Sequence, residues 1–84
     1  MITVPQLRAA RALLGWSQDT LAGRSGVSKP TIARLELADG EIGGYASTRD
    51  KLRQALEHAG IIFVAENGDG PGVRLRKGAT LDGP

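Results

Sequence analysis

The sequence predicts a mostly α-helical protein, with four short helices followed by a C-terminal β-hairpin. Up to residue 59, apolar side chains recur at the three- and four-residue spacing of amphipathic helices, and capping residues separate the segments. From Gly60 the pattern changes to a β-branched and aromatic run, a glycine-rich turn and a segment that alternates apolar with charged residues. We therefore expect a helical domain over residues 1–59, a hairpin over residues 60–77 and a flexible tail over residues 78–84.

The first two helices are predicted from their ends and from an apolar stripe. Thr3 can cap helix one, whose buried face runs from Leu7 to Leu14. Gly15 is a natural stop for this helix, because glycine adopts the left-handed conformation without strain. Ser17 can then cap helix two, which should extend for about two turns.

Helices three and four are predicted in the same way. Ser28 can cap helix three, in which Pro30 is tolerated within the first turn. Residues 38–46 contain three glycines and no helical period, so we expect a loop there. Ser47, with Asp50 three residues later, has the pattern of a capping box at the start of helix four.

The residues after Gly60 predict two strands joined by a turn. The run over residues 61–65 is apolar on both faces, and residues 73–76 alternate apolar with charged side chains. Because exposed apolar edges invite pairing, we expect the hairpin to join two copies of the chain, the alternative being a monomer whose hairpin packs on its own helices. The residues expected at the dimer contact are Ile61, Ile62, Phe63, Val64, Val73 and Leu75.

The composition excludes several classes of site. The chain has 84 residues, no cysteine and one histidine, His58. Disulfides, thiolate catalysis, iron–sulfur clusters and metal sites built on cysteines or a histidine pair are therefore excluded. The glycine-rich residues 68–72 lack the lysine of a phosphate-binding loop, and no Ser–His–Asp set is evident. We expect no enzymatic activity, no cofactor and no metal.

The charge balance is only mildly basic. Eleven lysines and arginines face nine acidic residues, a net charge of +2, so affinity for a polyanion must depend on where the cations lie. No apolar run approaches the roughly 20 residues that cross a bilayer. Arginines interrupt the apolar stretch near the first residue, unlike a signal peptide, and we expect a cytoplasmic protein.

The segment from Ser17 to Leu37 predicts two short helices that cross steeply about a tight turn. Ala22 provides the small residue that a close crossing needs, Gly26 allows a left-handed turn, and Val27 can fill the wedge between the helices.

This segment resembles the helix-turn-helix of the phage repressor and Cro family of transcriptional regulators, also called the XRE family. The matching residues are Gly15-Trp16-Ser17-Gln18, Leu21-Ala22, Gly26-Val27-Ser28, Thr31-Ile32 and Arg34-Leu35-Glu36. The resemblance covers roughly residues 5–58 and implies a four-helix repressor-like domain that binds double-stranded DNA. The chain departs from the family in two ways. A hairpin replaces the usual fifth helix, and Asp39 and Glu41 occupy a loop that often carries basic or amide residues.

Helix three, Ser28–Leu37, corresponds to the recognition helix of this family, whose N-terminal end enters the major groove. Helical geometry points Pro30 and Arg34 away from the buried face. Lys29 and Arg34 can donate to guanine O6 and N7, although solvated surface positions are the alternative for both. The residues expected to contact bases are Ser28, Lys29, Pro30, Thr31 and Arg34.

The resemblance also implies roles for residues outside helix three. Ser17 and Gln18 match the start of helix two, where the family binds a backbone phosphate and the helix dipole favours an anion. A polar residue of the first turn without a DNA contact is the alternative for Gln18. Arg11 and Glu36 are expected to form a partly buried ion pair between helices one and three. Trp16 is expected to cover the junction of helices one and two rather than to stack on a ligand.

Three functions are compatible with these features. The first is a sequence-specific transcriptional regulator, a Cro-like repressor or an activator, that binds a palindromic operator as a homodimer. The second is the antitoxin of a toxin–antitoxin pair, which binds a toxin protein and its own operator. The third is a module that uses the fold for protein contacts alone, and loss of DNA binding with an intact fold would distinguish it.

Overall fold

The computed structural model describes residues 2–78 and contains four helices followed by a two-stranded antiparallel hairpin. In chain order the elements are α1 (Val4–Leu14), α2 (Gln18–Ser25), α3 (Lys29–Glu36), α4 (Ala46–His58), β1 (Ile61–Val64) and β2 (Gly72–Leu75). The predicted fold class is therefore confirmed. The predicted tail lies outside the described residues, apart from Gly78. No helix within residues 2–78 has the length and apolar character needed to cross a membrane.

The first three helices begin at the hydroxyl residues that the sequence predicts. Thr3, Ser17 and Ser28 are extended, and the side-chain oxygen of each accepts a hydrogen bond from the backbone N–H three residues later. These bonds satisfy donors that the start of a helix otherwise leaves without a partner. Gly15 and Gly26 end α1 and α2 in the left-handed conformation, with φ of 68° and 81°.

The prediction that Ser47 caps α4 is wrong. The cap is Tyr45, which makes no side-chain capping bond, and the helix begins at Ala46. Gly44 precedes this cap with φ of 83°, a left-handed conformation that turns the chain into Tyr45, two residues ahead of Ser47. Ser47 therefore lies inside the first turn, where its backbone is already helical.

A single aliphatic core joins all four helices and β1. The largest side chains with no more than 1% exposure are Leu7, Leu21, Ile32, Leu52, Leu56, Ile61 and Val4. Burial of each such side chain stabilises the fold by about 1.5–3 kcal/mol before its loss of entropy is counted. The core holds α3 against α1 and α2, with its opposite face in solvent.

The loop between α3 and α4 is anchored to the first residues of the chain. The Val4 N–H donates to the Gly40 carbonyl at 2.7 Å, and the Ile42 N–H donates to the Ile2 carbonyl at 3.3 Å. Ile42 is 2% exposed. The sequence predicts a loop here but not its attachment to the start of the chain. Ile2 and Ile42 lie outside any helical or strand-like hydrophobic pattern, so nothing in the sequence indicates that they lie close together.

One face of the hairpin packs on the helices of its own chain. Ile61 pairs with Leu75 and Phe63 pairs with Val73 in the antiparallel register, so these four side chains share a face. All four belong to the core or pack against it. β2 lies mainly against α1, and β1 lies against α4.

The other face of the hairpin points away from this core. It carries Ile62 opposite Arg74 and Val64 opposite Gly72. Ile62 and Val64 are half-buried and Arg74 is exposed. The packing of a hairpin on its own helices, the alternative to a dimer contact, therefore accounts for one apolar face only.

Gln6 fastens the turn end of the hairpin to the start of α1. Its Nε2 donates to the Val64 carbonyl at 3.1 Å and to the Gly72 carbonyl at 2.8 Å. Its Oε1 accepts from the Thr3 N–H at 2.8 Å, while the Thr3 hydroxyl accepts from the Gln6 N–H at 3.2 Å. The result is a capping box whose glutamine also bridges two strands.

Candidate nucleic-acid interface

The turn between α2 and α3 is built as the sequence predicts. Gly26 takes the left-handed conformation, and Val27 is 7% exposed beneath the turn. The Ser25 hydroxyl accepts from the Val27 N–H at 3.1 Å, which closes the turn. Ala22 is partly buried and packs against the core. This turn fixes the direction in which α3 leaves α2.

The N-terminal end of α3 is a solvent-exposed surface. Ser28, Lys29, Pro30 and Arg34 are exposed there. Thr31 is half-buried, and its hydroxyl oxygen accepts from the Ser28 hydroxyl at 2.9 Å. The structure thus brings the five residues predicted to contact bases together at one end of one helix.

The two cations of this surface have different surroundings. The Lys29 Nζ lies 3.4 Å from an Asp19 carboxylate oxygen, and both side chains are more than half exposed. A pair this exposed holds its partners weakly, because water and salt screen it. Arg34 makes no ion pair with any residue in the described range 2–78. Both guanidinium and ammonium groups are therefore accessible to a ligand.

The start of α2 is occupied by its own capping bonds. The Ser17 hydroxyl accepts from the Thr20 N–H at 3.0 Å and also contacts the Thr20 hydroxyl at 3.1 Å. Gln18 is half-buried, and its Nε2 donates to the Glu36 carboxylate at 2.9 Å. The contact between Gln18 and Glu36 is absent from the sequence prediction, because 18 residues and a turn separate the two.

Arg11 and Glu36 are joined by two parallel hydrogen bonds. The Arg11 Nε and Nη2 donate to the two Glu36 carboxylate oxygens at 2.8 and 2.7 Å. The Arg11 Nη1 also donates to the Trp16 carbonyl at 3.0 Å. Glu36 is 6% exposed, so the pair is largely buried. It links α1 to α3, and the bond to Trp16 also ties it to the segment between α1 and α2.

The pKa of Glu36 is lowered from its usual value of 4.5. Burial acts in the opposite direction, since it raises the pKa of a carboxyl group. Hydrogen bonds from Arg11 and Gln18, together with the charges of Arg11 and Arg8, outweigh that effect. Glu36 is therefore ionised at neutral pH, and it accepts hydrogen bonds from both Arg11 and Gln18.

Trp16 covers the junction between α1 and α2. Its ring is 5% exposed, and the Arg24 guanidinium lies 5.0 Å from the ring centroid. This distance is typical of a cation–π contact. The indole N–H has no hydrogen-bond partner among residues 2–78.

The acidic residues of the α3–α4 loop, Asp39 and Glu41, are both exposed. Neither forms an ion pair within residues 2–78. The loop between α3 and α4 contains no lysine or arginine. It therefore lacks the basic residues that the resemblance implies at this edge.

Comparison with known proteins agrees with this geometry. The family model described as "Helix-turn-helix" matches residues 7–44, a span that begins in α1 and ends just before α4. A search of curated proteins gave no match. The matched span contains Arg11, the turn at Gly26, the exposed end of α3 and Glu36. The chain thus carries a DNA-binding helix-turn-helix domain of the phage repressor and Cro type.

Proposed function

We propose that the protein is a sequence-specific transcriptional regulator that binds double-stranded DNA as a homodimer, with α3 in the major groove. The observation that carries this proposal is the exposed end of α3. Within residues 2–78, Lys29 has only a weak ion pair and Arg34 has none, while the buried face of the same helix is fixed to the core. A rigid helix with accessible donors suits the reading of guanine O6 and N7.

The start of α2 supplies the contact to the DNA backbone in this proposal. The Gln18 amide nitrogen donates one hydrogen to Glu36 and retains a second for a phosphate oxygen. The Glu36 carboxylate fixes the orientation of this amide, because only its nitrogen can donate. The positive end of the α2 dipole adds a further attraction for the phosphate.

The size of the molecule is compatible with a dimer on a two-fold symmetric operator. The molecule measures 34 × 32 × 19 Å along its principal axes. A two-fold dimer of molecules this size can hold its two α3 helices about 34 Å apart, the spacing between successive major grooves on one face of DNA. The operator would then be palindromic, and the protein would act in the cytoplasm, where the DNA lies.

Selection of binding sites from a random duplex pool tests the proposal. At one fixed salt concentration, we expect the wild-type protein to enrich a motif with two inverted half-sites about 10 base pairs apart. Enrichment of no motif, with the protein folded by circular dichroism, would contradict sequence-specific binding. Enrichment of a single half-site would retain DNA recognition and contradict the homodimer.

A protein partner is a second candidate function, favoured by two exposed apolar side chains. Leu37 and Tyr45, which flank the α3–α4 loop, are 86% and 82% exposed. An antitoxin would bury such residues against its toxin. Purification of the tagged chain from its native cells, followed by mass spectrometry, would recover a second small protein in stoichiometric amount if the chain is an antitoxin.

A further inference from the structure

One edge of the hairpin has backbone groups that point away from the partner strand. The Arg76 N–H donates to the Gly60 carbonyl at 2.7 Å, and Ile62 pairs with Arg74 two positions along the same register. In an antiparallel ladder, pairs that exchange hydrogen bonds alternate with pairs that do not. Ile62 and Arg74 therefore exchange bonds, and the N–H and carbonyl of Phe63 point outward from the free edge of β1, which pairs with no other strand within residues 2–78.

The two outer edges of the hairpin differ in charge. β1 contains no charged residue, and Ala65 extends the uncharged run by one position. β2 contains Arg74 and is followed directly by Arg76 and Lys77. Charged side chains on an edge strand oppose pairing with another chain. In a two-fold contact between two β2 strands, arginines of the two copies would also lie close together, which destabilises such a pair.

We infer that a second copy of the chain pairs with the free edge of β1 and forms a four-stranded sheet across the dimer. The inference rests on the proposed function, because two recognition helices on a palindromic operator require a two-fold contact. The uncharged run from Ile61 to Ala65 is symmetric about Phe63, so antiparallel pairing about Phe63 matches apolar residues with apolar residues throughout.

This register makes a specific pair of side chains neighbours. On the outward face, Ile62 of one copy lies opposite Val64 of the other, with Cα atoms about 4.5 Å apart. Both side chains are half-buried in the single chain. Pairing with a second copy extends their burial, while the inward face remains packed on the helices of its own chain.

Cysteine cross-linking of the full chain tests the register. The protein contains no cysteine, so each introduced thiol is the only one present. We expect a mixture of the Ile62→Cys and Val64→Cys proteins in a glutathione redox buffer to form a disulfide heterodimer as the main cross-linked species. Each variant alone should give several-fold less cross-link, because its own thiols are offset by two residues.

The matched control places the same pair of cysteines on the other strand. Arg74 lies in β2 and Arg76 directly after it, two residues apart along the same edge, and a mixture of Arg74→Cys and Arg76→Cys should give no heterodimer above background. Heterodimer from the β2 mixture, or none from the β1 mixture while the wild type sediments as a dimer, would overturn the inference. Cross-linking of the β1 cysteines to a co-purified foreign protein would also overturn it.

A charge at the proposed contact provides a second measurement. Val64→Lys should raise the dimer dissociation constant at least tenfold, because two lysines would enter an apolar two-fold contact, whereas Arg74→Gln should leave it unchanged. Circular dichroism and thermal unfolding identify any variant that has lost its fold. If Val64→Lys does not fold, the cross-linking experiment still tests the contact, because it does not use that substitution. An unchanged dissociation constant for folded Val64→Lys would contradict the β1 contact.

Failure of this inference is distinguishable from failure of the proposed function. Binding-site selection by the wild type reports DNA recognition without reference to the contact between copies. A two-half-site motif together with no β1 cross-link rejects the β1 edge alone. A β1 cross-link together with no enriched motif supports the contact and rejects DNA recognition.

Discussion

The Glu36 carboxylate takes part in both the fold and the candidate interface. It accepts two hydrogen bonds from Arg11 and one from Gln18, the residue that we propose contacts a phosphate. The resemblance to the repressor family indicates the first partner. The second could not be predicted from the sequence, because it depends on how closely the crossing at Ala22 brings α2 and α3 together.

Loss of Arg11 should destabilise the protein more than loss of the whole ion pair. Arg11→Ala leaves the Glu36 charge buried without its main partner, and we expect a decrease of up to about 3–5 kcal/mol in the free energy of unfolding. The double variant Arg11→Met with Glu36→Leu should lose less, because it replaces the charges with apolar side chains of similar size. Urea unfolding measures both, and equal losses would contradict the buried-charge explanation.

Arg34 and Gln18 should affect DNA binding in different ways. Arg34→Ala should cost about 1–3 kcal/mol per half-site and relax the preference at one base position. Gln18→Ala should weaken binding to all sequences alike, since a phosphate contact carries no direct base information. Site selection with wild type and both variants at one salt concentration separates these effects. A changed motif for Gln18→Ala would contradict the placement of Gln18 at the DNA backbone.

At the scale of elements, a helix start is predictable when its cap is a hydroxyl residue next to the helix. Thr3, Ser17 and Ser28 satisfy this condition, and all three caps are found where expected. Tyr45 has no oxygen within reach of the first helical N–H groups, so the start of α4 had no marker. The predicted cap, Ser47, therefore lies two residues after the observed cap.

The hairpin shows a different limit of sequence reading. Its strands and turn are visible as a change of period after Gly60. The inward face of β1 is not visible from β1 itself, because this strand is apolar at every position and either face could pack on the core. The pairing with β2 fixes the choice, because Val73 and Leu75 pack against the core while Arg74 is exposed, and Phe63 and Ile61 are their partners.

Gln6→Ala should loosen the hairpin selectively. The change removes the donors to Val64 and Gly72 and the acceptor for the Thr3 N–H, which leaves partly buried polar groups without partners. We expect a decrease of about 1–3 kcal/mol in the free energy of unfolding. Hydrogen exchange should show the largest loss of amide protection in β1 and β2. Equal loss of protection in α2 and α3 would contradict a local role for this side chain.

At the scale of the whole molecule, one small core joins the helical domain to the hairpin. Ile61 begins β1 and is 1% exposed within the same core as Leu7 and Leu56. The boundary predicted between residues 59 and 60 therefore separates two kinds of secondary structure that share one interior. The change of hydrophobic period reveals the change of secondary structure. The shared core cannot be predicted in this way, because it depends on contacts between residues far apart in sequence.

Acid should remove the contribution of Glu36 to the stability of the whole protein. Its pKa is lowered by folding from the usual 4.5, so its stabilising contribution is fully present above about pH 4.5 and is lost as pH falls through the lowered value. The difference in free energy of unfolding between wild type and Glu36→Gln should therefore shrink on acidification. Urea unfolding from about pH 6 to about pH 3 measures it. A difference that grows as the pH falls would contradict the direction of the shift.

The anchoring of the α3–α4 loop has a consequence for how this scaffold can be re-used. The bonds that hold the loop involve Val4, Gly40 and Ile42, and the core contacts of α3 use its other face. None of them involves the side chains of Lys29, Pro30 or Arg34. The outward side chains of α3 can thus be substituted while the contacts that hold the helix in place are kept. The fold is therefore a suitable scaffold for engineering new DNA-sequence specificities.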